Sequence, residues 1–476
     1  MKGVSPIARA KTLLLCATLF LLVVSPISCG GPHSQQRPNI LLILTDDQER
    51  STLKHMPEVQ KRLIDEGRTM DEMVSTYPLC CPARTTILRG QYAHNHRVYG
   101  NSAPHGGWPR FSELGRQNST VATWLQDTGY RTALFGKYLN EYDGTGVPPG
   151  WDRWYAQRGL KRHKQINDQG KIRNLHGHID TLLKDEALGW IKDAASSNEP
   201  FFAWVGFEAP HFPAYCSPQY DDMFRDVRLP RTPNFNEKDV SDKPEWIQRT
   251  EPLTEDEIAG LDRFYESQLR SLQTVDRFVA ELDDALSAAG ELDNTYVFYY
   301  TDNGVHLGNH RLDYGKASPY EEDINFPLIV RGPKIPAGTT SDALVGDHDL
   351  APTMALLGGA SYPSWVDGRD AMPVLSGPEP DTWRTAIFAQ QWRPGHKPPS
   401  NPNVQPAFDA VRTKRYTYAE YRTGEKELYD LRKDPYELQS LVETASQSLL
   451  SSLHNRLEAL KDCSGEDCHA AENRTP

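Results

Sequence analysis

The chain alternates between short apolar runs and longer segments with helical spacing. Its first run, Asn39–Thr45, holds five consecutive aliphatic residues and has the length of a strand buried on both faces of a parallel sheet. Similar runs predict strands at residues 131–135, 200–207, 295–301 and 326–331. Helices are predicted at residues 56–67, at residues 121–127 and, behind a capping box at residues 254–257, up to about Ala289. Strands and helices in alternation predict an α/β fold.

The pattern changes towards the C-terminus. Proline and glycine accumulate around residues 372–380, which indicates a boundary. Two hairpin strands and a last helix are predicted downstream, at residues 415–421, 427–431 and 448–460. We therefore predict a large α/β domain over residues 38–375 and a small α+β domain over residues 381–470.

The N-terminus has the features of an export signal. Three basic residues precede an apolar run at residues 13–24, and small residues follow up to Cys29. The run is too short for a transmembrane helix, so residues 1–29 are predicted to be a secretory signal peptide. Ser28 before Cys29 also resembles a bacterial lipoprotein site, although Pro26 stands where such sites usually have Leu or Val. We expect a secreted, periplasmic or cell-surface protein, bound to a membrane only if Cys29 is lipidated.

The composition is that of a globular protein with an acidic surface. Of its 476 residues 38% are hydrophobic, and the formal net charge at pH 7 is −12. The sequence contains no long basic stripe, which disfavours nucleic acid as a partner. Cys463 and Cys468 enclose a short loop that a disulfide could close in an oxidising compartment.

Polar side chains follow four of the predicted strands at their carboxyl ends. In an open parallel sheet these ends meet at one edge, which is where ligands bind. We therefore expect the four sets to lie together, although they are far apart in the chain. They are Asp46 with Asp47, Gly136 with Lys137, Ala209-Pro210-His211, and Asp302 with Asn303.

These residue types suit one divalent cation and one anion. The carboxylates and the amide supply hard oxygen ligands, which favour Ca²⁺ or Mg²⁺ over zinc. The sequence has no His/Cys cluster with zinc spacing. Lys137, His211 and a further lysine, Lys316, supply cationic or donor groups for the oxygens of an anion. Taken singly, an Asp-Asp pair is often a polar turn and a lone Lys or His is usually solvated, so only the whole set supports this interpretation.

The segment around Cys80 is the most informative in the chain. Cys80 has a proline two residues on and Arg84 four residues on, whereas Cys81 has neither at those offsets. This Cys-x-Pro-x-Arg spacing resembles the maturation signature of sulfatases, in which the cysteine is oxidised to formylglycine. A hydrated aldehyde offers one hydroxyl that attacks sulfur and a second whose deprotonation expels the sulfate. The alternative is a buried or disulfide-bonded cysteine beside a helix that starts with Pro82.

The likeness extends over essentially the whole chain. It resembles a type I sulfatase of the alkaline-phosphatase-like superfamily, and more narrowly the N-acetylglucosamine-6-sulfatases and the extracellular heparan sulfate 6-O-endosulfatases. The resemblance is carried by residues 38–48, 79–92, 94–96, 136–142, 209–213, 299–308, 316–321, 328–333 and 463–468. The implied fold is a sandwich in which helices flank a large, mostly parallel central sheet, with a small C-terminal α+β domain.

The resemblance implies a role for each candidate residue. One divalent cation, Ca²⁺ or alternatively Mg²⁺, is implied to be held by Asp46, Asp47, Asp302, Asn303 and the modified Cys80. Arg84 is implied to hold the formylglycine hydrate, and Lys137 and Lys316 to bind the sulfate group. Lys316 and His211 are placed near the leaving oxygen, with His211 as the group that protonates it. A formylglycine-generating enzyme is the implied partner during maturation.

Two details stay open in the sequence. Many sulfatases read Gly-Lys-x-His at the second strand end, whereas Leu139 occupies that histidine's place here. The base that collapses the sulfated intermediate is then another residue. The candidates for it are His94, His96 and His306. If Cys80 becomes an aldehyde, Cys81 and Cys216 are left as a pair that could form a disulfide.

Substrate specificity is expected to come from the rim of the site. Asn140 and Glu141 beside Lys137, and the loop that holds Trp151 and Trp154, are rim candidates, because aromatics with polar neighbours suit a sugar ring. The two tryptophans could equally pack this loop down. The subgroup resemblance implies a sulfated carbohydrate substrate, the 6-O-sulfate of N-acetylglucosamine in a glycan or glycosaminoglycan.

Other functions compete with this one. A phosphatase or phosphodiesterase of the same fold typically has Ser or Thr as nucleophile and binds two metals through several histidines, whereas this chain has Cys80 and one evident oxygen-rich site. A non-catalytic, carbohydrate-binding surface protein would not need every ligand position to be filled. An arylsulfatase or another carbohydrate sulfatase is the nearer alternative, since the whole family shares the sulfate pocket.

Overall fold

The computed structural model describes Met1 and residues 37–144, 146–159, 165–197, 199–392 and 405–474. Residues 2–29 of the predicted signal peptide, with Cys29, lie outside these ranges. Within the ranges, no helix is both long and apolar enough to cross a bilayer.

The described residues form strands and helices in alternation over most of the chain. The strands are β1 (Asn39–Thr45), β2 (Arg68–Met70), β3 (Met73–Val74), β4 (Arg131–Gly136), β5 (Arg153–Gln157), β6 (Gln165–Asp168), β7 (Lys171–Asn174), β8 (Phe201–Gly206), β9 (Thr295–Thr301), β10 (His306–Leu307), β11 (Tyr314–Gly315), β12 (Leu328–Arg331), β13 (Thr339–Ser341), β14 (Val345–Gly346), β15 (Ala386–Gln391), β16 (Phe408–Thr413), β17 (Tyr416–Tyr421) and β18 (Lys426–Asp430). The α-helices are α1 (Pro57–Val59), α2 (Cys80–Arg89), α3 (Ala93–His96), α4 (Gly107–Glu113), α5 (Val121–Asp127), α6 (Ile179–Ala195), α7 (Glu245–Gln248), α8 (Glu255–Ala289), α9 (Glu321–Ile324), α10 (Leu350–Leu357), α11 (Met372–Ser376), α12 (Gln447–Lys461) and α13 (Glu466–Asn473).

A ten-stranded mixed sheet, flanked by helices, dominates the fold. Its order is β13-β2-β12-β9-β1-β8-β4-β5-β6-β7. The five neighbours β9, β1, β8, β4 and β5 run parallel, while β12, β6 and β7 pair antiparallel with the strands beside them. Every residue of β1, β8 and β9 is buried, as expected for strands covered on both faces. The predicted α/β class is confirmed, with the parallel strands at the centre and antiparallel strands towards the edges.

The predicted helices differ in how well they match. α5 and α8 begin and end where the sequence places them, and α8 starts with the predicted capping box of Thr254 and Glu257. The predicted helix at residues 56–67 is instead a short α-turn, Pro57–Val59, followed by the π-helical segment Gln60–Ile64. Its first N–H groups donate to the carboxylate of Asp276 on α8 rather than to a local cap.

The strand register aligns the polar residues that follow the central strands. Thr45 at the end of β1 pairs with Thr301 at the end of β9. Gly136 at the end of β4 pairs with Gly206 at the end of β8, and Gly206 also pairs with Leu44 of β1. The chain therefore leaves all four strands at one edge of the sheet.

A second sheet forms the C-terminal part. β15, β16, β17 and β18 are joined in this order, each antiparallel to the next, and α12 packs against β16. The unit has the predicted α+β composition, and its hairpin strands β17 and β18 and its helix α12 lie within a residue or two of the expected bounds. The strands β15 and β16 and the last helix, α13, were not predicted. Fully buried Arg384 donates to Asp349 at 2.6 Å and lies 3.3 Å from Glu472 of α13, so an ion-pair network anchors the last helix.

The cysteines are paired in one place only among the described residues. Cys463 and Cys468 form the predicted disulfide. The suggested pairing of Cys81 with Cys216 is wrong, because both are free thiols. Cys81 is buried at the start of α2, whereas Cys216 is partly exposed and its thiol lies 3.1 Å from the Asp221 carboxylate.

Replacing Cys463 by serine is expected to lower stability and leave the chemistry unchanged. The disulfide spans a sequence separation of only 5, so its loss should cost about 2 kcal/mol, at the low end for such bridges. The check is the urea midpoint together with the rate of sulfate release. Cys216→Ser, which removes a thiol that forms no disulfide, is the matched control and should change neither. Lost turnover at unchanged stability would contradict a structural role.

Candidate active site

Cys80 occupies the first position of α2, at the edge where the parallel strands end. Its side chain is fully buried, with Sγ 2.7 Å from Lys316 Nζ and 3.5 Å from Asp46 Oδ1. Burial, together with the charge of Asp46, raises the pKa of the thiol to about 12. An unmodified thiol here is therefore protonated and a poor nucleophile. The N-terminus of the helix nevertheless favours negative charge at this position.

The four predicted metal ligands interlock directly behind Cys80. The backbone N–H of Asp47 donates to Asp302 Oδ1 at 3.3 Å, and Asn303 Nδ2 donates to Asp47 Oδ1 at 2.7 Å. Asp47 adopts a left-handed backbone conformation, with φ 58°, which turns the chain immediately after β1. All four side chains, including Asp46, are fully buried. The predicted convergence of the β1 and β9 ends is thus present in the structure.

The side-chain oxygen of Asn303 is free to bind a cation. Asn303 donates through Nδ2 to Asp47 and to the carbonyl of Gly304, which fixes the amide orientation. Its Oδ1 atom is left buried without a hydrogen bond. Such an oxygen is costly unless something binds it. Ligand atoms of Asp46, Asp47 and Cys80 also lie within 4.8 Å of one another, so these residues fit a hard divalent cation with oxygen ligands.

Arg84 connects the metal ligands to the next strand end. It is fully buried one turn after Cys80, and its Nε donates to Asp302 Oδ2 at 2.7 Å. Its Nη1 donates to the Lys137 carbonyl at 2.9 Å, and its Nη2 lies 3.8 Å from Asp46 Oδ2. With these contacts the guanidinium is held rigidly against the carboxylates.

Two lysines complete the charge balance of the site. Lys137 Nζ contacts Asp46, and Lys316 Nζ contacts Asp47 as well as the Cys80 sulfur. Burial alone would raise the pKa of Asp46, but Lys137 and the other cations hold it below the usual range. Burial would likewise lower the pKa of Lys137, but the Asp46 charge raises it. Three cationic side chains thus face three carboxylates, and a bound dication would leave the site positive enough for an anionic substrate.

The candidate histidines differ in whether they lie at the active site. His211 Nε2 lies 3.7 Å from Asp47 Oδ2, as the strand-end argument predicts. Among the base candidates, His94 contacts the Cys463 carbonyl and His96 contacts the Thr86 hydroxyl, so both serve packing. His306 on β10 pairs with β11 directly before Lys316, and its Nδ1 is 3.0 Å from Asp323.

The rim interpretation of the two tryptophans is corrected by the structure. Trp154 is fully buried and donates from Nε1 to the Tyr142 hydroxyl at 2.9 Å, and Trp151 stacks on Phe202 in the core. Neither ring can offer a face to a sugar, so they pack the loop down. Asn140 is 6% exposed and lines a small pocket with Lys137.

Sequence reasoning missed two aromatic residues at the site. The Tyr314 hydroxyl donates to Asp47 Oδ2 at 2.9 Å. Phe212 is 56% exposed and packs against Tyr314, with ring centroids 5.7 Å apart. The available signal was adjacency, since Tyr314 lies two residues before Lys316 and Phe212 directly follows His211.

Comparison with known proteins also identifies relatives that are sulfatases. A family model described as Sulfatase matches residues 38–360, and one described as N-sulphoglucosamine sulphohydrolase, C-terminal, matches residues 308–463. Human N-acetylglucosamine-6-sulfatase is 34% identical over an alignment of 495 positions, which covers 94% of this chain and 88% of that protein. The extracellular sulfatase SULF-1 homolog of Drosophila melanogaster is 37% identical over 355 residues, 72% of this chain and 31% of that protein.

A solved structure has the same fold. It is described as a complex with its substrate D-glucosamine-2-N,6-O-disulfate and superimposes with a TM-score of 0.75 at 23% identity. The match covers 92% of this chain and 99% of the other. The length of the match to the Sulfatase family model and the 34% identity to the human enzyme establish that the chain belongs to the sulfatase family, whose members hydrolyse sulfuric esters.

Proposed function

We propose that this sulfatase removes the 6-O-sulfate of N-acetylglucosamine in glycans or glycosaminoglycans. The observation that supports the reaction best is the position of Cys80, enclosed by Lys316, Asp46 and Asp47 at the start of a helix. The sugar is inferred from relatives that are named N-acetylglucosamine-6-sulfatases and that align over nearly the whole chain. An arylsulfatase or another carbohydrate sulfatase is the alternative.

The thiol of Cys80 stands where we place a formylglycine hydrate in the mature enzyme. That hydrate would supply one hydroxyl to attack sulfur and a second to release the sulfate. Asp46, Asp47, Asp302 and Asn303 would hold one Ca²⁺, or alternatively Mg²⁺, which lowers the cost of ionising the attacking hydroxyl. The orphaned Asn303 oxygen supports this ligand set.

The remaining side chains act on the substrate. Lys137 and Lys316 bind sulfate oxygens, and Arg84 holds the nucleophile against the carboxylates. His211, which is partly exposed and lies 3.7 Å from Asp47, protonates the leaving sugar oxygen. The exposed Phe212 ring beside it takes the stacking role that the buried tryptophans cannot fill.

Segments outside the active site support proposals for the localisation, maturation and domain boundary of the enzyme. We infer an exported protein, secreted or held in the periplasm or at the cell surface, with a membrane link only if Cys29 is lipidated. Its maturation requires a formylglycine-generating enzyme. We place the domain boundary between residues 375 and 381, just before β15 (Ala386–Gln391) opens the second sheet.

The test is a sulfate-release screen with the matured protein. It compares N-acetylglucosamine 6-sulfate, galactose 6-sulfate, galactosamine 4-sulfate, 2-O-sulfated uronate, an aryl sulfate and an aryl phosphate. We expect the highest kcat/KM for the glucosamine ester. A preference for a 4-O- or 2-O-sulfated sugar would overturn the substrate and leave the sulfatase assignment standing. Much faster phosphate turnover would overturn the reaction itself.

A further inference from the structure

A second cluster of ligand-type side chains is built from residues that the catalytic site does not use. It consists of His310 after β10, Glu322 in α9 and Glu437 beyond β18. One ligand atom from each lies within 4.8 Å of the other two. These residues are brought together by the fold alone, because they are separated by up to 127 positions, the difference between 437 and 310.

Two carboxylate oxygens in this cluster are sealed from solvent without a partner. Glu437 is 1% exposed, and while its Oε2 accepts from the Glu321 N–H at 2.8 Å, its Oε1 accepts nothing. Glu322 Oε1 accepts from the side-chain amides of Asn234 and Asn309, and its Oε2 is likewise buried and unpaired. The Asn303 oxygen at the catalytic site is likewise buried without a hydrogen bond.

The histidine of the cluster is oriented as metal-binding histidines are. His310 is fully buried, and its Nδ1 lies 2.6 Å from Glu237 Oε2, so Nδ1 carries the proton and Nε2 the lone pair. A carboxylate behind the ring is the usual partner of a histidine that ligates metal through its other nitrogen. The polar neighbour of Nε2 is Asn234 Nδ2 at 3.2 Å, a long contact that a metal bond would replace.

The local charges also favour a dication. Glu237, Glu322 and Glu437 contribute three carboxylates, and Lys243 Nζ, 3.5 Å from Glu237 Oε1, contributes one positive charge. The carboxyl groups thus outnumber the ammonium group in a largely buried place, where an ionised carboxylate without a counter-charge is expensive. A divalent cation would balance them.

We propose that His310, Glu322 and Glu437 bind a divalent metal ion of the zinc type, with Glu237 fixing the imidazole. One imidazole nitrogen and two carboxylates suit zinc better than Ca²⁺, which prefers oxygen alone. His310 and Glu322 lie on either side of the segment that carries Tyr314 and Lys316. The ion therefore ties both ends of this segment to the C-terminal part of the chain and holds the substrate-binding lysine in place.

The test measures bound zinc rather than activity. The full-length protein is loaded with zinc, freed of excess by gel filtration and analysed by elemental mass spectrometry. We expect Glu437→Gln, which preserves shape and removes the charge, to retain one zinc ion fewer than the wild type and to lose the zinc-dependent rise in Tm. Asp302→Asn, the matched control at the catalytic site, should retain this zinc.

If Glu437→Gln does not fold, zinc-edge X-ray absorption of the wild type tests the proposal instead, because it identifies the atoms bound to zinc. The proposal predicts a first shell containing one imidazole nitrogen together with carboxylate oxygens. Equal zinc in wild type and Glu437→Gln would overturn it. So would a wild type that retains no zinc, because the two carboxyl groups would then share a proton instead.

Discussion

Replacing Cys80 by alanine is expected to abolish sulfate release. The variant has no side chain from which the attacking hydroxyl can be made, so we expect kcat to fall by at least about 10⁴-fold. The fold should persist, because the buried sulfur contacts Lys316 and Asp46 and fills little space. Measuring kcat with N-acetylglucosamine 6-sulfate, alongside the urea midpoint, checks both statements.

Cys81→Ala is the matched control for this variant. Cys81 is equally buried and adjacent in α2, but its N–H is capped by Asn101 and its offsets do not fit the maturation signature. Its loss should cost some stability and little turnover. Comparable activity in Cys80→Ala and Cys81→Ala would show that the nucleophile lies elsewhere.

Asp302→Asn is expected to remove the cation from the catalytic site and, with it, most of the activity. In the wild type, Arg84 Nε donates to Asp302 Oδ2 at 2.7 Å. The asparagine side chain has the same shape and keeps one oxygen that can accept this hydrogen bond. It loses the charge that a hard dication needs, so we expect kcat to fall by about 10³-fold or more. Bound calcium and kcat are measured on the same preparation, before and after addition of excess Ca²⁺.

The control for Asp302→Asn is the same substitution at a buried aspartate outside the active site. Asp276 is 4% exposed and accepts from the N–H groups of Glu58 and Val59 at the start of α1. Asp276→Asn should weaken that cap and keep both calcium and turnover. Full activity with unchanged calcium in Asp302→Asn would mean that the cation is held by other residues.

The strand ends show how much of the site the sequence could predict. Buried parallel strands have continuous apolar runs, so the ends of β1 and β9 could be located within a residue, and with them Asp46 and Asp302. Parallel pairing then brings those ends together whatever the loops between them do. The convergence of these side chains was predictable because it depends on sheet topology.

Features that depend on loop packing could not be predicted in this way. Trp151 and Trp154 have the composition of a sugar-binding rim, but whether an indole faces solvent or Phe202 is decided by the tertiary fold. Phe212 lies in an irregular segment, and Tyr314 lies on β11, a strand of two residues that is too short for a periodic pattern to predict. The cluster of His310 and Glu437 joins parts of the chain that share neither a motif nor a strand end.

The most direct test of the proposed mechanism is mass spectrometry of the tryptic peptide spanning residues 69–84, which contains both Cys80 and Cys81. The protein is produced in a host that has the maturation enzyme, and its thiols are alkylated before digestion. We predict one alkylated cysteine, Cys81, and at residue 80 a side chain in which one oxygen replaces the sulfur and two hydrogens are lost. Two alkylated cysteines in an actively desulfating preparation would contradict a formylglycine nucleophile at Cys80.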